Sequence, residues 1–187
     1  MRADEHLSGV STDLDLAMGY WGNRSGWSLY SAKTTKRLAL EHIEGYLNGD
    51  AEDDPEADTF VLQYSGHSAG CTRDWCMANG GRVSFDEVMA LWEASRARSH
   101  GCLLVLVLDS CHSGVWVEHA RERDFPDVAV QAACGPGEVT YDKFFTQLIV
   151  RYHEGKVTRE DALTSSRTSM HPCAYVPSRD TSRAVGL

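Results

Sequence analysis

Blocks of apolar residues alternate with mixed blocks along this chain, and the apolar blocks predict strands. "TFVLQY" (59–64) is typical of a buried strand. "CLLVLVL" (102–108) is an unbroken apolar run between a glycine and an aspartate, which predicts a central parallel strand buried on both faces. "VAVQAA" (128–133) and the shorter "CAYV" (173–176) predict two more strands.

Three other segments show helical spacing. "TTKRLALEHIEGYLNG" (34–49) carries an apolar face and ends in glycine, and "SFDEVMALWEASRA" (84–97) opens with the Ser-x-x-Glu pattern of a capping box. "YDKFFTQLIVRYH" (141–153) predicts a third helix. Strands that alternate with helices predict an α/β fold, mainly a parallel sheet with helices on both faces. The acidic residues 48–58 are expected to form a solvated connection.

Composition places this fold in one domain and suggests its surroundings. The chain has 187 residues, 42% hydrophobic and 24% charged, as in an ordinary soluble domain. A net charge of −9 disfavours nucleic acid or an anionic membrane as a partner. Residues 1–30 lack a signal-peptide pattern, and six cysteines are too few for a disulfide scaffold. We therefore predict a cytoplasmic protein with neither nucleic acid nor membrane as a partner.

Two chemically active side chains follow the predicted strands at equal distances. His67 lies three residues beyond "TFVLQY", and Cys111 lies three residues beyond "CLLVLVL". Active sites of open α/β sheets form beyond the carboxyl ends of the strands. If the two strands are neighbours, about 4.8 Å apart, an imidazole and a thiol enter the same crevice.

The segment around His67 allows two interpretations. Residues 66–70 match G-x-S-x-G, the nucleophile elbow of serine esterases, with Ser68 as nucleophile and Asp109 with His153 or His171 completing a triad. However, no helical pattern follows Ser68. In the other interpretation His67 is the base for the Cys111 thiol, and turn amides near Gly66 and Cys111 hold the oxyanion.

"YSGH" (64–67) and "DSCHSG" (109–114) together resemble the paired motifs of the caspase-like cysteine peptidases, closest to the metacaspases and paracaspases. The resemblance covers most of the chain and implies a caspase-like fold. Residues up to about 120 correspond to the large-subunit part and residues from about 125 to 187 to the small-subunit part. It also implies a thiol protease in which Cys111 is the nucleophile and His67 the base. "QAACG" (131–135) imitates a caspase nucleophile signature around Cys134, but only Cys111 follows the expected strand.

The resemblance further implies how a peptide is bound and cut. Backbone amides of Gly66, Ser68 and Cys111 form the oxyanion hole. By this resemblance Asp13, Ser65 and Asp109 line a pocket for Arg or Lys on the amino side of the cut. The alternative for the aspartates is structural, with Asp13 capping a helix and Asp109 holding a turn.

Self-cleavage is a further expectation from the family. Residues 115–127 join two predicted strands and carry Arg121 and Arg123, which we predict as autocleavage positions in an exposed connection. The alternative is a short surface helix whose arginines pair with Glu118 and Glu122.

Two departures from the family favour an alternative function, an inactive caspase-like interaction module. Ser68 replaces the glycine that follows the catalytic histidine, and the family's first strand is missing before Leu7.

We expect no required cofactor and no metal. A zinc site of His67 with cysteines 71, 76 and 111 matches no common module. Calcium activation is possible through carboxylates, but we do not favour it, because helix capping explains Asp86 and Glu87. The other carboxylates in calcium-site positions are Asp74 and Glu118.

Overall fold

The computed structural model describes residues 9–21, 34–49, 58–141, 144–158 and 171–177. The helices in these stretches are α1 (Val10–Trp21), α2 (Lys36–Asn48), α3 (Phe85–Ala94), α4 (Arg96–Ser99), α5 (Gly114–Arg123) and α6 (Phe145–His153). The strands are β1 (Thr59–Ser65), β2 (Trp75–Cys76), β3 (Arg82–Val83), β4 (Leu103–Asp109), β5 (Val128–Ala132) and β6 (Cys173–Tyr175).

The main sheet has four strands in the order β1-β4-β5-β6. β1, β4 and β5 run parallel, and β6 is antiparallel to β5. Every residue of β4 is buried, as the unbroken apolar run predicted. The α/β class with a mainly parallel central sheet is confirmed.

Alternate side chains of β4 enter two separate hydrophobic clusters, one on each face of the sheet. Leu104, Leu106 and Leu108 pack against α2, α3 and α5, whose fully buried residues include Trp92 and Trp116. On the other face, Leu103, Val105 and Val107 pack with Phe145 and Ile149 of α6. Helices therefore cover both faces. Truncating such a buried aromatic side chain to alanine costs about 3–5 kcal/mol.

The three predicted helical segments form helices, but residues 84–97 divide at Ser95 into α3 and α4. The capping box at the start of α3 is formed in both directions between Ser84 and Glu87. Thr35 caps α2, and Gly49 ends it in an extended conformation rather than a left-handed one. α6 begins at Phe145, four residues later than the first residue of the predicted segment.

Four elements were not predicted as such. β2 and β3 form a small antiparallel hairpin in the segment after His67. α1 carries in its first turn Asp13, which the resemblance assigned to the substrate pocket. α5 occupies most of the predicted exposed connection, because Trp116, Val117 and Ala120 bury one face of it.

The autocleavage candidates lie in the last turn of α5. This agrees with the helical alternative, but the pairing differs from the one expected. Arg123 pairs with Asp86 at 2.5 Å instead of with a glutamate of its own helix. The absence of the family's first strand before Leu7 concerns residues outside the described ranges, and so does most of the acidic connection at 48–58.

Candidate active site

The carboxyl ends of β1 and β4 bring the two predicted catalytic residues to the same edge of the sheet. Ser65 and Asp109 are register partners, and the Gly66 amide donates to the Asp109 carbonyl at 3.1 Å. His67 lies two residues beyond Ser65, and Cys111 lies two residues beyond Asp109. Because neighbouring strands are about 4.8 Å apart, the residues that extend them lie side by side at this edge of the sheet. Both His67 and Cys111 are partly exposed there.

A side-chain contact joins the two turns directly. The Ser68 hydroxyl donates a hydrogen bond to the carbonyl of Cys111. Ser68 also forms an isolated antiparallel bridge with Trp75. The serine that departs from the family pattern thus ties the histidine turn to the cysteine turn.

The Tyr64 hydroxyl bonds the backbone of the turn that carries His67. The Tyr64 hydroxyl donates its one proton to the His67 carbonyl at 2.7 Å and shares it with the Cys76 carbonyl at 3.1 Å. The amide of Cys76 donates to the same His67 carbonyl at 2.9 Å. The backbone of His67 is therefore fixed from two sides.

The turn that carries Cys111 leads straight into α5. His112 has a left-handed backbone with φ of 57°, and its amide donates to the Glu138 carbonyl at 2.8 Å. The Ser113 side chain does not cap the helix. The amino end of α5 therefore lies three residues from the thiol, and its dipole favours a negative charge at that end.

Gly114 is required by a close approach between α5 and the chain that follows β5. A Cβ at this position would lie 2.7 Å from the carbonyl oxygen of Cys134 and 2.7 Å from the carbonyl carbon of Gly135. Both contacts are to backbone atoms, which move only with their whole segment. The final glycine of "DSCHSG" thus allows the nucleophile turn to sit against the end of β5.

The loop after β5 forms a further wall of the site. The Cys111 Sγ lies 3.8 Å from the carbonyl oxygen of Thr140, within range of a weak hydrogen bond. The Glu138 carboxylate accepts from the amides of Gly135 and His171, each at 2.8 Å, and contacts the His171 Nδ1 at 2.5 Å. The hydrogen bond from His171 is the main cause that lowers the pKa of Glu138.

Cys134, the other nucleophile candidate, lies under this loop with no exposed surface. Its Sγ lies 3.5 Å from the carbonyl oxygens of Ser110 and Glu138. Burial raises the pKa of the Cys134 thiol. A buried thiol of raised pKa is a poor nucleophile, which agrees with the preference for Cys111.

One of the three predicted oxyanion donors is already engaged. The Gly66 amide is bound to the Asp109 carbonyl, as described above, so it is not directed at a substrate. That part of the prediction is corrected, because the ladder between β1 and β4 continues one residue past the end of β1. The amides of Ser68 and Cys111 stay as the predicted donors.

The predicted pocket residues are brought together, but their side chains bind protein groups. Asp13 is 1% exposed and accepts a hydrogen bond from the Ser65 hydroxyl at 2.9 Å. Asp109 is 4% exposed and accepts from the amide and the hydroxyl of Thr146, each at 2.9 Å. Since Thr146 lies in the first turn of α6, Asp109 caps that helix in addition to any role toward a substrate.

The carboxylates considered for calcium have partners of their own. Asp86 pairs with Arg123, and Glu87 pairs with Lys36 at 2.5 Å while it completes the capping box. Across the described ranges, no group of three or more histidine, cysteine or acidic side chains is arranged to hold a metal ion. All six cysteines are free thiols.

Sequence reasoning missed the side chains that support the two turns. Tyr64 stacks on Trp75, and Trp75 stacks on Trp116 of α5. Glu138 and Thr146 are joined to the site by contacts between distant segments, and His171, considered earlier only for an esterase triad, contacts Glu138. Tyr64 belongs to the "YSGH" motif, and this motif was the signal for it in the sequence. The sequence carried no such signal for Trp75, Trp116, Glu138 or Thr146.

No family model matches the chain. It is 31% identical over 104 residues to transmembrane protein 168-A of Danio rerio, which covers 56% of this chain and 15% of that protein. It is 34% identical over 91 residues to transmembrane protein 168 of Homo sapiens, which covers 49% of this chain and 13% of that protein. The chain therefore spans about a seventh of the length of these curated relatives.

The fold has a counterpart of known structure. Protein GSU0716 from Geobacter sulfurreducens superposes with a TM-score of 0.60 at 18% sequence identity, over 87% of this chain and 81% of that one. At this identity the likeness concerns the fold alone.

The curated relatives correct one prediction. A cytoplasmic protein with no membrane partner was expected from the sequence, and relatives named as transmembrane proteins contradict that expectation. No helix within the described residues is long and apolar enough to cross a bilayer. The prediction was drawn from the net charge, the lack of a signal-peptide pattern and the small number of cysteines, which describe only the residues of this chain.

Proposed function

We propose that this chain is a caspase-like cysteine endopeptidase, most similar to the metacaspase and paracaspase group, that cuts after Arg or Lys. The observation that carries the proposal is the matched placement of His67 and Cys111, each two residues beyond the register pair Ser65 and Asp109. In this proposal the two adjacent turns present His67 as a base and Cys111 as a nucleophile to the same substrate. The Ser68 contact with the Cys111 carbonyl supports this juxtaposition.

In the proposed reaction His67 accepts the proton of the Cys111 thiol. The thiolate then attacks the scissile carbonyl carbon, and the carbon–sulfur bond forms as the carbonyl electrons move to oxygen. The amides of Ser68 and Cys111 would stabilise that oxyanion. Protonated His67 donates its proton to the leaving amine as the peptide bond breaks. Water, with His67 again as base, then hydrolyses the thioester and regenerates the thiol.

The preference for a basic residue is supported by two buried carboxylates near the crevice. Asp13 and Asp109 are both nearly inaccessible, and Ser65 is hydrogen-bonded to the first and in register with the second. Buried negative charges carry a desolvation cost that a nearby cation offsets. A guanidinium or ammonium group of a substrate would supply that cation, whereas an acidic side chain would be repelled.

The serine esterase alternative receives less support. A nucleophile elbow needs a helix directly after the serine. Residues 69–84 instead contain turns and the hairpin of β2 and β3, and the next helix begins at Phe85. The Ser68 hydroxyl is moreover occupied by the Cys111 carbonyl.

The test is a fluorogenic peptide screen on the purified protein, combined with a thiol-reactive activity probe. We expect cleavage after Arg or Lys by the wild type, with probe labelling at Cys111. Cys111→Ala and His67→Ala should each abolish turnover. Cys134→Ala is the matched control: it removes a thiol from the same region, should cost about 1 kcal/mol of stability, and should leave activity in place.

Each outcome separates the functions considered. Turnover that persists in a folded Cys111→Ala protein but disappears in Ser68→Ala would favour the esterase. A folded wild type that neither cuts peptides nor reacts with the probe would favour the inactive interaction module. If the protein prefers Asp on the amino side of the cut, it would be assigned to the caspases themselves and not to the metacaspase and paracaspase group.

A further inference from the structure

Tyr64 stands at the centre of the contacts that hold the histidine turn. Its hydroxyl bonds the carbonyl of His67 at 2.7 Å, and the same carbonyl accepts the Cys76 amide at 2.9 Å. A backbone carbonyl that is fixed by two donors cannot rotate without breaking both bonds. The direction in which the His67 side chain leaves the backbone is set accordingly.

The ring of Tyr64 is fixed in turn by a stack of three aromatic rings. Tyr64 and Trp75 have centroids 4.7 Å apart and planes within 7° of parallel. Trp75 and Trp116 have centroids 4.5 Å apart and planes within 10° of parallel. Trp116 lies in the first turn of α5, and its indole N–H donates to the Arg73 carbonyl at 3.1 Å. The stack therefore links the turn of His67 to the helix that follows Cys111.

Gly66 and Tyr64 fit each other inside the "YSGH" motif. A Cβ at position 66 would lie 2.7 Å from the Tyr64 hydroxyl oxygen. Only glycine allows the hydroxyl to pass over this residue and reach His67. Burial also raises the pKa of Tyr64, so the hydroxyl stays protonated as a donor.

From this geometry we propose that Tyr64 is a positioning residue for His67, which it sets relative to Cys111 through its hydroxyl and the ring stack. The inference rests on the proposed function, because it assigns His67 the role of base toward the Cys111 thiol. Tyr64 itself does not touch the reacting atoms. Its effect is transmitted through the His67 backbone.

The test compares two partly buried tyrosines whose hydroxyls each bond a backbone group of another residue. Tyr64→Phe keeps the ring stack and removes the hydroxyl that contacts the carbonyls of His67 and Cys76. Tyr46→Phe is the matched control, since the Tyr46 hydroxyl accepts from the Val61 amide at 3.3 Å, away from the site. The readout is the pH profile of Cys111 alkylation by iodoacetamide, followed by mass spectrometry of the Cys111 peptide. Thermal melts of each variant verify folding.

We expect Tyr64→Phe to slow Cys111 alkylation at neutral pH by about tenfold, the effect of one lost hydrogen bond, and to move the profile toward that of His67→Ala. Tyr46→Phe should keep the wild-type profile. Gly66→Ala should resemble Tyr64→Phe, because its methyl group displaces the hydroxyl from the other side.

Three results would contradict the inference. If His67→Ala changes the profile and Tyr64→Phe does not, Tyr64 has no positioning role while the proposed function stands. If Tyr46→Phe changes the profile as much as Tyr64→Phe, the effect belongs to general loosening of β1. If His67→Ala leaves the profile unchanged, His67 does not act on Cys111, and the inference and the proposed mechanism both fail.

Discussion

Ser65 and Asp109 face each other at the carboxyl ends of β1 and β4, and the Gly66 amide extends their ladder by one hydrogen bond to the Asp109 carbonyl. Each of the two candidate catalytic residues follows this pair by two positions. The backbone pairing of the two strands thus brings His67 and Cys111 to the same edge of the sheet without help from side chains. Side chains then refine the arrangement, most directly through the bond from Ser68 to the Cys111 carbonyl.

Asp109 is expected to serve stability and substrate binding through different properties. Its carboxylate accepts two hydrogen bonds from Thr146 and caps α6, which depends on an oxygen acceptor. Pairing with a substrate cation depends on the charge. Asp109→Asn should therefore keep most of the stability and lose cleavage after Arg, while Asp109→Ala should also lose about 1–2 kcal/mol.

Denaturant melts and a peptide panel on the two variants measure these effects. Asp109→Asn with unchanged cleavage after Arg would assign Asp109 to the helix cap alone. An Asp109→Ala protein as stable as the wild type would instead remove the capping role.

Gly114→Ala is expected to disturb the nucleophile turn. The new Cβ would lie 2.7 Å from backbone atoms of Cys134 and Gly135, so one of the two segments must move. Overpacking of this kind costs about 1–3 kcal/mol, and the movement should also reduce peptide turnover. Gly137→Ala is the control, because a Cβ there meets no atom within 4 Å.

Thermal melts and peptide turnover are compared between Gly114→Ala and Gly137→Ala, and only the first is expected to fall in both. Equal stability and equal activity in both would show that the approach of α5 to the end of β5 is loose enough to accept a methyl group.

Self-cleavage after Arg121 or Arg123 stays a prediction, and the structure adds a condition to it. Both arginines are in a helix, and Arg123 is paired with Asp86. A bond in a helix must unfold locally before it enters an active site, so cutting should be slow. Asp86→Ala removes the pair and should speed the cut modestly, because exposed ion pairs are weak.

Electrophoresis of the purified protein over time follows this reaction, with Cys111→Ala as the variant that stays whole. Fragments that also form in Cys111→Ala would point to a contaminating protease. A wild type that is fully active and stays intact would show that self-cleavage is not part of its activation.

Glu138 should make stability depend on acidity. Hydrogen bonds from His171 and Gly135 lower the pKa of this carboxyl below its usual range. A carboxyl whose pKa is lowered by folding stabilises the folded state above its unfolded pKa, and this contribution is lost as pH falls through the folded pKa. Wild type should therefore exceed Glu138→Gln in melting temperature near neutral pH, and the difference should shrink at acid pH.

Thermal melts of wild type and Glu138→Gln from neutral to acid pH test whether the difference in melting temperature shrinks as the pH falls. His171→Gln should reproduce part of the effect because it removes the main cause of the shift. A difference that grows as pH falls would contradict the assignment.

Much of the fold follows from signals carried within short segments. The apolar run of β4 needs burial on both faces, the capping box of Ser84 and Glu87 satisfies its own helix end, and His67 and Cys111 each directly follow a run of strand-forming residues. Each of these depends on residues close together in sequence, so periodicity and local hydrogen bonding are enough to predict it. The hairpin of β2 and β3 had no such run and was not predicted.

The details of the candidate site depend on contacts between distant segments, and only the tertiary structure decided them. Asp109 meets Thr146 across 37 positions, and Ser65 meets Asp13 across 52. The pattern of the chain marks such residues as polar and gives no partner for them. Burial in the folded protein then requires each polar group to find a hydrogen bond, and the packing of α6 and α1 beside the sheet determines which group supplies it.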